Sequence, residues 1–259
     1  MQIIFNKYHG TGNDFIIIDN RKKRINKANE ELIRFLCDRH KGVGSDGLIL
    51  IDEHEKYDFE MKYFNADGRE GSMCGNGGRC AVAFAEKTGI GKGKGSFLAS
   101  DGEHRYEIRG SIISVSLRDT RPPVIVEGNS FIDTGSPHYI INVPDCEKVD
   151  VHEKGKLIRW SHSFAPGGTN VDFVEHKVNG IFVRTYERGV ENETLSCGTG
   201  VAAAAISSKW GKEQGKFNLR VETRGGTLAV SFKTGKGIIT DICLSGPAEF
   251  VFAGIVDFQ

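Results

Sequence analysis

Residues 69–80 read REGSMCGNGGRC and residues 195–205 read LSCGTGVAAAA. Each stretch sets a cysteine, Cys74 or Cys197, directly before glycines and then a run of small residues. A packing cysteine needs no such backbone freedom, whereas one that must meet a ligand does. The two cysteines stand 123 positions apart, and other signals keep that distance. Gly12 in HGTGNDFIII (9–18) matches Gly135 in IDTGSPHYII (132–141), and Ile17 matches Ile140. Gly44 matches Gly167, Tyr63 matches Tyr186, and Gly102 matches Gly225. One plan written twice without a gap is the expectation, and two copies are too few for a solenoid.

The coarse elements repeat as well. MQIIFNKYHG (1–10), DFIIID (14–19), GLILID (47–52), YDFEMKYF (57–64), GSFLAS (95–100), HRYEIR (104–109) and SIISVSL (111–117) predict short strands between Gly/Asp/Asn turns. NEELIRFLCDRH (29–40) predicts an amphipathic helix with Leu32, Phe35 and Leu36 on one side. A second helix is expected after Cys74 through Lys87. The other half supplies strands at 172–177, 180–187, 219–223 and 227–232, and a helix from about Thr199 to Trp210 closed by Gly211. Pro122 and Pro123 in DTRPPVIVEG (119–128) favour an extended join. The fold class expected is α/β of the α+β type. Two pseudo-symmetric lobes are each a mostly antiparallel sheet or barrel wrapped around a Cys-headed central helix. The expected domains are 1–119, carrying Cys74, and 120–259, carrying Cys197, with the tail of about 250–259 able to pack back onto the first.

Equal numbers of basic and acidic residues, 34 of each, give no basic face for a nucleic acid. The longest apolar runs are far below the ~20 residues that span a bilayer. The first ten residues break their apolar run at Asn6 and Lys7, so a secretory signal is not expected, and a cytoplasmic protein is. Six scattered cysteines, with no CxxC, predict neither a disulfide scaffold nor a structural metal. Cys37, Cys80, Cys146 and Cys243 read as packing residues.

Cys74 and Cys197 each stand where a helix begins, and there free N–H groups and the helix dipole favour anions. A thiol so placed is expected to ionise below its usual value of about 8.5. The N–H groups of Gly75, Asn76, Gly198 and Thr199 are expected to hold a ligand carboxylate. If the lobes face each other, one thiolate takes a proton from one face of an α-carbon while the opposite thiol delivers one to the other. A nucleophilic thiol paired with His9 or His138 is a rival, but it leaves the second cysteine without a task. A redox pair and a phosphate loop fit the spacing less well.

HGTGNDF, FNADGREGSMCGNG, YERG and CGTG together resemble the diaminopimelate epimerase family, over nearly the whole chain. That resemblance implies interconversion of LL- and meso-2,6-diaminopimelate without pyridoxal phosphate or any other cofactor, in lysine and cell-wall precursor biosynthesis. It also implies a small-molecule partner, no nucleic acid, no membrane, and a homodimer. Cys74 and Cys197 become the acid–base pair. Asn13, Asn65, Asn170, Glu187 and Arg188 would read the substrate's far ammonium and carboxylate, with His138 and Glu187 tuning the site. Two departures put side-chain contacts in doubt: Ser136 stands where the family often has Asn, and Gly47 where many members have Gln. Proline and hydroxyproline epimerases share the superfamily but typically show MCGHG, where this chain has Asn76. A two-lobed amino-acid-binding protein with a dead site is the alternative outside enzymology.

Overall fold

The computed structural model describes residues 2–23, 25, 29–211, 214–235 and 237–258. Met1 of the first expected strand and Gln259 of the expected tail lie outside the described residues. The chain divides into two compact units, one of residues 1–115 with 246–259 and one of residues 116–245.

The first unit runs β1 (Gln2–Gly10), β2 (Asn13–Asp19), α1 (Glu30–Cys37), β3 (Gly47–Asp52), β4 (Phe59–Asn65), α2 (Gly75–Lys87), β5 (Lys94–Ala99), β6 (Gly102–Arg109) and β7 (Ile112–Ser116). Most neighbours pair antiparallel, but β2–β3 and β4–β5 are parallel. Parallel neighbours need a crossover, and α1 and α2 are those crossovers. Strands β2 and β3 are buried on both faces, which is why FIII and LILI run on without polar alternation. Ile16, Ile18, Leu48 and Leu50 face the cluster built with Leu32, Ile33 and Leu36 of α1. On the other face, a Cβ on Gly77 of α2 would meet Ile49 and Met61 at 3.2–3.3 Å. Helix α2 is thus enclosed by strands, and its residues from Gly75 to Val82 are all buried.

The second unit repeats the order. It has β8 (Val124–Val126), β9 (Asn129–Asp133), β10 (Pro137–Asn142), α3 (Val151–Arg159), β11 (Asn170–Lys177), β12 (Gly180–Glu187), β13 (Asn192–Thr194), α4 (Gly198–Lys209), β14 (Gly215–Thr223), β15 (Gly226–Gly235) and β16 (Ile238–Pro247). Here β10–β11 and β12–β14 are the parallel pairs, and α3 and α4 the crossovers. Val201–Ile206 of α4 are buried all round, so the helix needs no polar face.

The expected boundary at 119/120 moves to 115/116. Leu117 N–H donates to Ile242 O, and Thr120 pairs with Ile239, which ties the stretch into the second unit. The Pro122–Pro123 segment is not the join; it leads into β8, which pairs with β9. The tail begins earlier than expected, at 246, and β17 (Glu249–Asp257) pairs antiparallel with β1.

The gap-free offset also needs correction. It holds between β2–β3 and β10–β11, where Phe15 opposite Gly47 becomes His138 opposite Asn170, and at the starts of α2 and α4. It slips at β4. Leu48 pairs with Phe64 but Val171 with Tyr186, so Tyr186 answers to Phe64 rather than Tyr63. It slips the other way at the next hairpin, where Gly102 answers to Gly226 (φ +125° and +143°) and not to Gly225. Loops absorb such insertions while the packed elements keep their register.

Candidate active site

Cys74 is the N-cap of α2 and Cys197 the N-cap of α4, both with extended backbone and φ near −105°. The helix ladders start at Gly78 N–H to Cys74 O (2.7 Å) and Val201 N–H to Cys197 O (2.9 Å). The preceding N–H groups, among them those of Gly75, Asn76, Gly198 and Thr199, are therefore outside the ladders.

In the first unit Cys74 is half-buried, and its Sγ lies 3.7 Å from Asn13 Oδ1. Asn76 Nδ2 donates to the same oxygen at 3.2 Å, and Asn13 Nδ2 donates to Asp46 Oδ2 at 2.8 Å. Arg79 is fully buried and donates from Nη2 to Asn76 Oδ1 at 3.0 Å. Behind Asn13, Asp14 meets Lys7 at 2.6 Å and Arg39 at 2.7 Å, and Arg39 also meets Asp46 at 2.7 Å. Burial works to raise the Asp14 pKa, but hydrogen bonds from Arg39 and Lys7 win and bring it down to about 2. Burial and the Asp14 charge push Asp46 up. Asn65 is exposed at the end of β4, where it forms a turn with Gly68 and Arg69. Gly47 carries no side chain because none fits: a Cβ there would lie 2.5 Å from Tyr63 Cε2.

In the second unit Cys197 is buried, and its Sγ lies 3.5 Å from Thr199 Oγ1. That hydroxyl is 3.0 Å from His138 Nε2 and 3.1 Å from Ser136 Oγ. His138 Nδ1 is 2.7 Å from Asp172 Oδ2, and both residues are fully buried. A carboxylate only accepts, so His138 Nδ1 donates to Asp172. Thr185 Oγ1 holds the other Asp172 oxygen at 2.7 Å. Asn170 donates to Pro137 O (2.8 Å) and Ser136 Oγ (3.2 Å) and accepts from the Arg188 N–H (2.8 Å). It thereby fixes the turn that carries Arg188. Glu187 Oε2 accepts from Thr194 Oγ1 at 2.9 Å, and Arg188 Nη1 reaches Gly167 O at 3.5 Å. His9 lies in the first unit, 3.8 Å from Glu249.

One expectation fails at Cys197. Burial, then the charges of Glu187 and Asp172, push its thiol well above the ordinary value, although Thr199 and the Gly200 amide pull the other way. Cys37 and Cys146 are also pushed up by burial, to about 11 and about 12.

Asp46, Arg79, Asp172 and Thr185 were absent from the expected set. Two of them were visible in the sequence as charges where packing forbids an unpaired one: Arg79 inside GGRCAVAFA and Asp172 inside NVDFV. Among the described residues, no group of three or more His, Cys, Asp or Glu could hold a metal ion, and no helix is long and apolar enough to cross a membrane.

A sequence model of the family described as diaminopimelate epimerase matches the chain twice, over residues 5–124 and 130–251. The chain belongs to the diaminopimelate epimerase family. Each matched stretch of this family's model contains one of the two helix-heading cysteines. The diaminopimelate epimerase of Flavobacterium psychrophilum is 47% identical over 95% of this chain and 97% of its own. The diaminopimelate epimerase of Chlorobaculum tepidum is 44% identical over 95% and 98%. Among solved structures, a Bacillus anthracis phenazine biosynthesis protein of the PhzF family superposes with a TM-score of 0.75, covering 100% of both chains. At 14% identity it shares the fold alone. Diaminopimelate epimerases are isomerases, and this chain is placed among them by its whole length.

Proposed function

We propose that the protein interconverts LL- and meso-2,6-diaminopimelate without a cofactor, in lysine and cell-wall precursor biosynthesis in the cytoplasm. The observation that carries this reading is a cysteine at the same N-cap position of both buried helices, in a chain whose near-full-length relatives bear that epimerase name. Cys74 exchanges a proton with one face of the substrate's α-carbon and Cys197 with the other, so the configuration inverts. One thiol is ionised and one protonated at any moment, and the pair titrates jointly.

The N–H groups of Gly75, Asn76, Gly198 and Thr199, at the two helix starts, receive the α-carboxylate, the usual ligand of a helix start. Arg188 grips the distal carboxylate, and Glu187 balances the distal ammonium. Asn13, Asn65 and Asn170 complete the polar lining, while His138 steadies Thr199 beside Cys197. Ser136 serves through its hydroxyl and Gly47 through its backbone. The active form is a homodimer, which the exposed apolar side chains of Ile4, Val251, Phe252 and Ile255 on β1 and β17 would serve.

Offering LL-diaminopimelate in deuterated water tests the substrate assignment. Deuterium should enter the α-position and the meso isomer should accumulate. Uptake into proline or hydroxyproline, with none into diaminopimelate, would replace this reading by the superfamily's other chemistry. No uptake into any of them would leave an amino-acid-binding protein.

A further inference from the structure

The two units place their cysteines alike but surround them with opposite charge. Counting from each N-cap, Arg79 in α2 falls where α4 has Ala202. On the strands below, Phe15 and Ile49 of the first unit fall where the second has His138 and Asp172.

Among the described residues, every acceptor that Arg79 reaches is neutral: Gly75 O at 3.3 Å, Asn76 Oδ1 at 3.0 Å, Thr11 Oγ1 at 3.5 Å and Pro247 O at 3.4 Å. Its charge is felt by the Cys80 and Cys74 sulfurs, and burial pushes its pKa down to about 10, which leaves it a cation at neutral pH. Cys80 is no counter-ion, because burial pushes its own pKa far up. The acids on this side, Asp14 and Asp46, are matched by Lys7 and Arg39. Among the described residues, Arg79 thus acts on Cys74 as a buried positive charge with no carboxylate hydrogen-bonded to it. A buried guanidinium without an anion is costly, and an adjacent thiolate would remove that cost.

Around Cys197 the acting charges are negative. Glu187 and Asp172 both raise its thiol, Asp172 also holds His138 Nδ1, and the Arg188 guanidinium is turned to Gly167 O. Thr199 Oγ1 lies 3.5 Å from the Cys197 sulfur and 3.0 Å from His138 Nε2, so an oxygen stands where a protonated thiol can donate to it.

Resting on the two-thiol reading above, we infer that in the ligand-free enzyme Cys74 carries the negative charge and Cys197 the proton, with Arg79 the positioning residue that sets this asymmetry. The free enzyme therefore stands ready for the direction in which Cys74 is the base, and Cys197 must lose its proton before the reverse direction can start.

Ultraviolet thiolate absorbance, titrated without substrate, decides the matter. The Cys197→Ala protein reports Cys74 and the Cys74→Ala protein reports Cys197, each against the double variant. Cys74 should ionise below the ordinary thiol value of about 8.5 and Cys197 above it. Adding Arg79→Gln should cut the Cys74 thiolate fraction at neutral pH about tenfold, one pKa unit, while Arg79→Lys restores most of it. Cys197 ionising at or below Cys74, or a Cys74 step that ignores Arg79→Gln, would overturn the assignment. If Arg79→Gln does not fold, the order of the two steps with Arg79 in place still decides it. Titration needs no turnover, so a failed order and a failed epimerase are separate results.

Discussion

A Cβ added to Gly47 would lie 2.5 Å from Tyr63 Cε2 and 2.7 Å from Phe64 O, with a parallel neighbour, Phe15, on its other side. The chain has filled with a tyrosine ring the space that a longer side chain at position 47 would need. Gly47→Ala should therefore destabilise the protein by about 1–3 kcal/mol, as overpacking does. Thermal unfolding checks this, and an unchanged midpoint would show that Tyr63 moves aside freely. The same scale explains why the thiol at Cys197 was misread from sequence. A helix terminus favours an anion by about 0.3–1 kcal/mol, whereas taking a charge out of water carries a penalty of several kcal/mol. The motif CGTG reveals the helix start but not the depth at which it is buried, nor that Glu187 and Asp172 converge there from distant sequence.

At the scale of elements, α2 and α4 were legible because each announces itself with Cys-Gly and then small residues. α4, expected from about Thr199 to Trp210, spans Gly198–Lys209. Strands β2 and β3 were legible from unbroken runs of isoleucine and leucine. Helix α3 was not. Its buried residues are Val151, Gly155 and Arg159, a stripe with one apolar side chain, so no hydrophobic period marks it. Gly155 is there because Tyr186 packs against it; a Cβ would come within 2.3 Å of that side chain. The signal that was available is the cap: Asp150 accepts from Glu153 N–H at 3.1 Å, with an acid at the third position as in a capping box. Register between the copies was legible where strands are packed on both faces and lost across the hairpins, where single-residue slips carry no packing penalty.

For the molecule as a whole, duplication is the organising fact: one order of strands and helices occurs twice, and one family model matches twice. What the copies do not share, Arg79 in one and His138 with Asp172 in the other, makes the surroundings of the two cysteines chemically unequal. Assembly belongs to this scale too. Ile255 on β17 and its partner Ile4 on β1 are exposed and apolar. Sedimentation equilibrium should give a dimer, and Ile255→Glu should give a folded monomer. A monomer without the substitution, or a dimer that survives it, would remove that interface. The most direct test of the two-thiol epimerase is solvent-deuterium incorporation into diaminopimelate by the unsubstituted protein, Cys74→Ala and Cys197→Ala, each shown to be folded. The account predicts inversion with deuterium at the α-carbon for the first and no measurable epimerisation by either variant. Substantial epimerisation by one variant alone would contradict it.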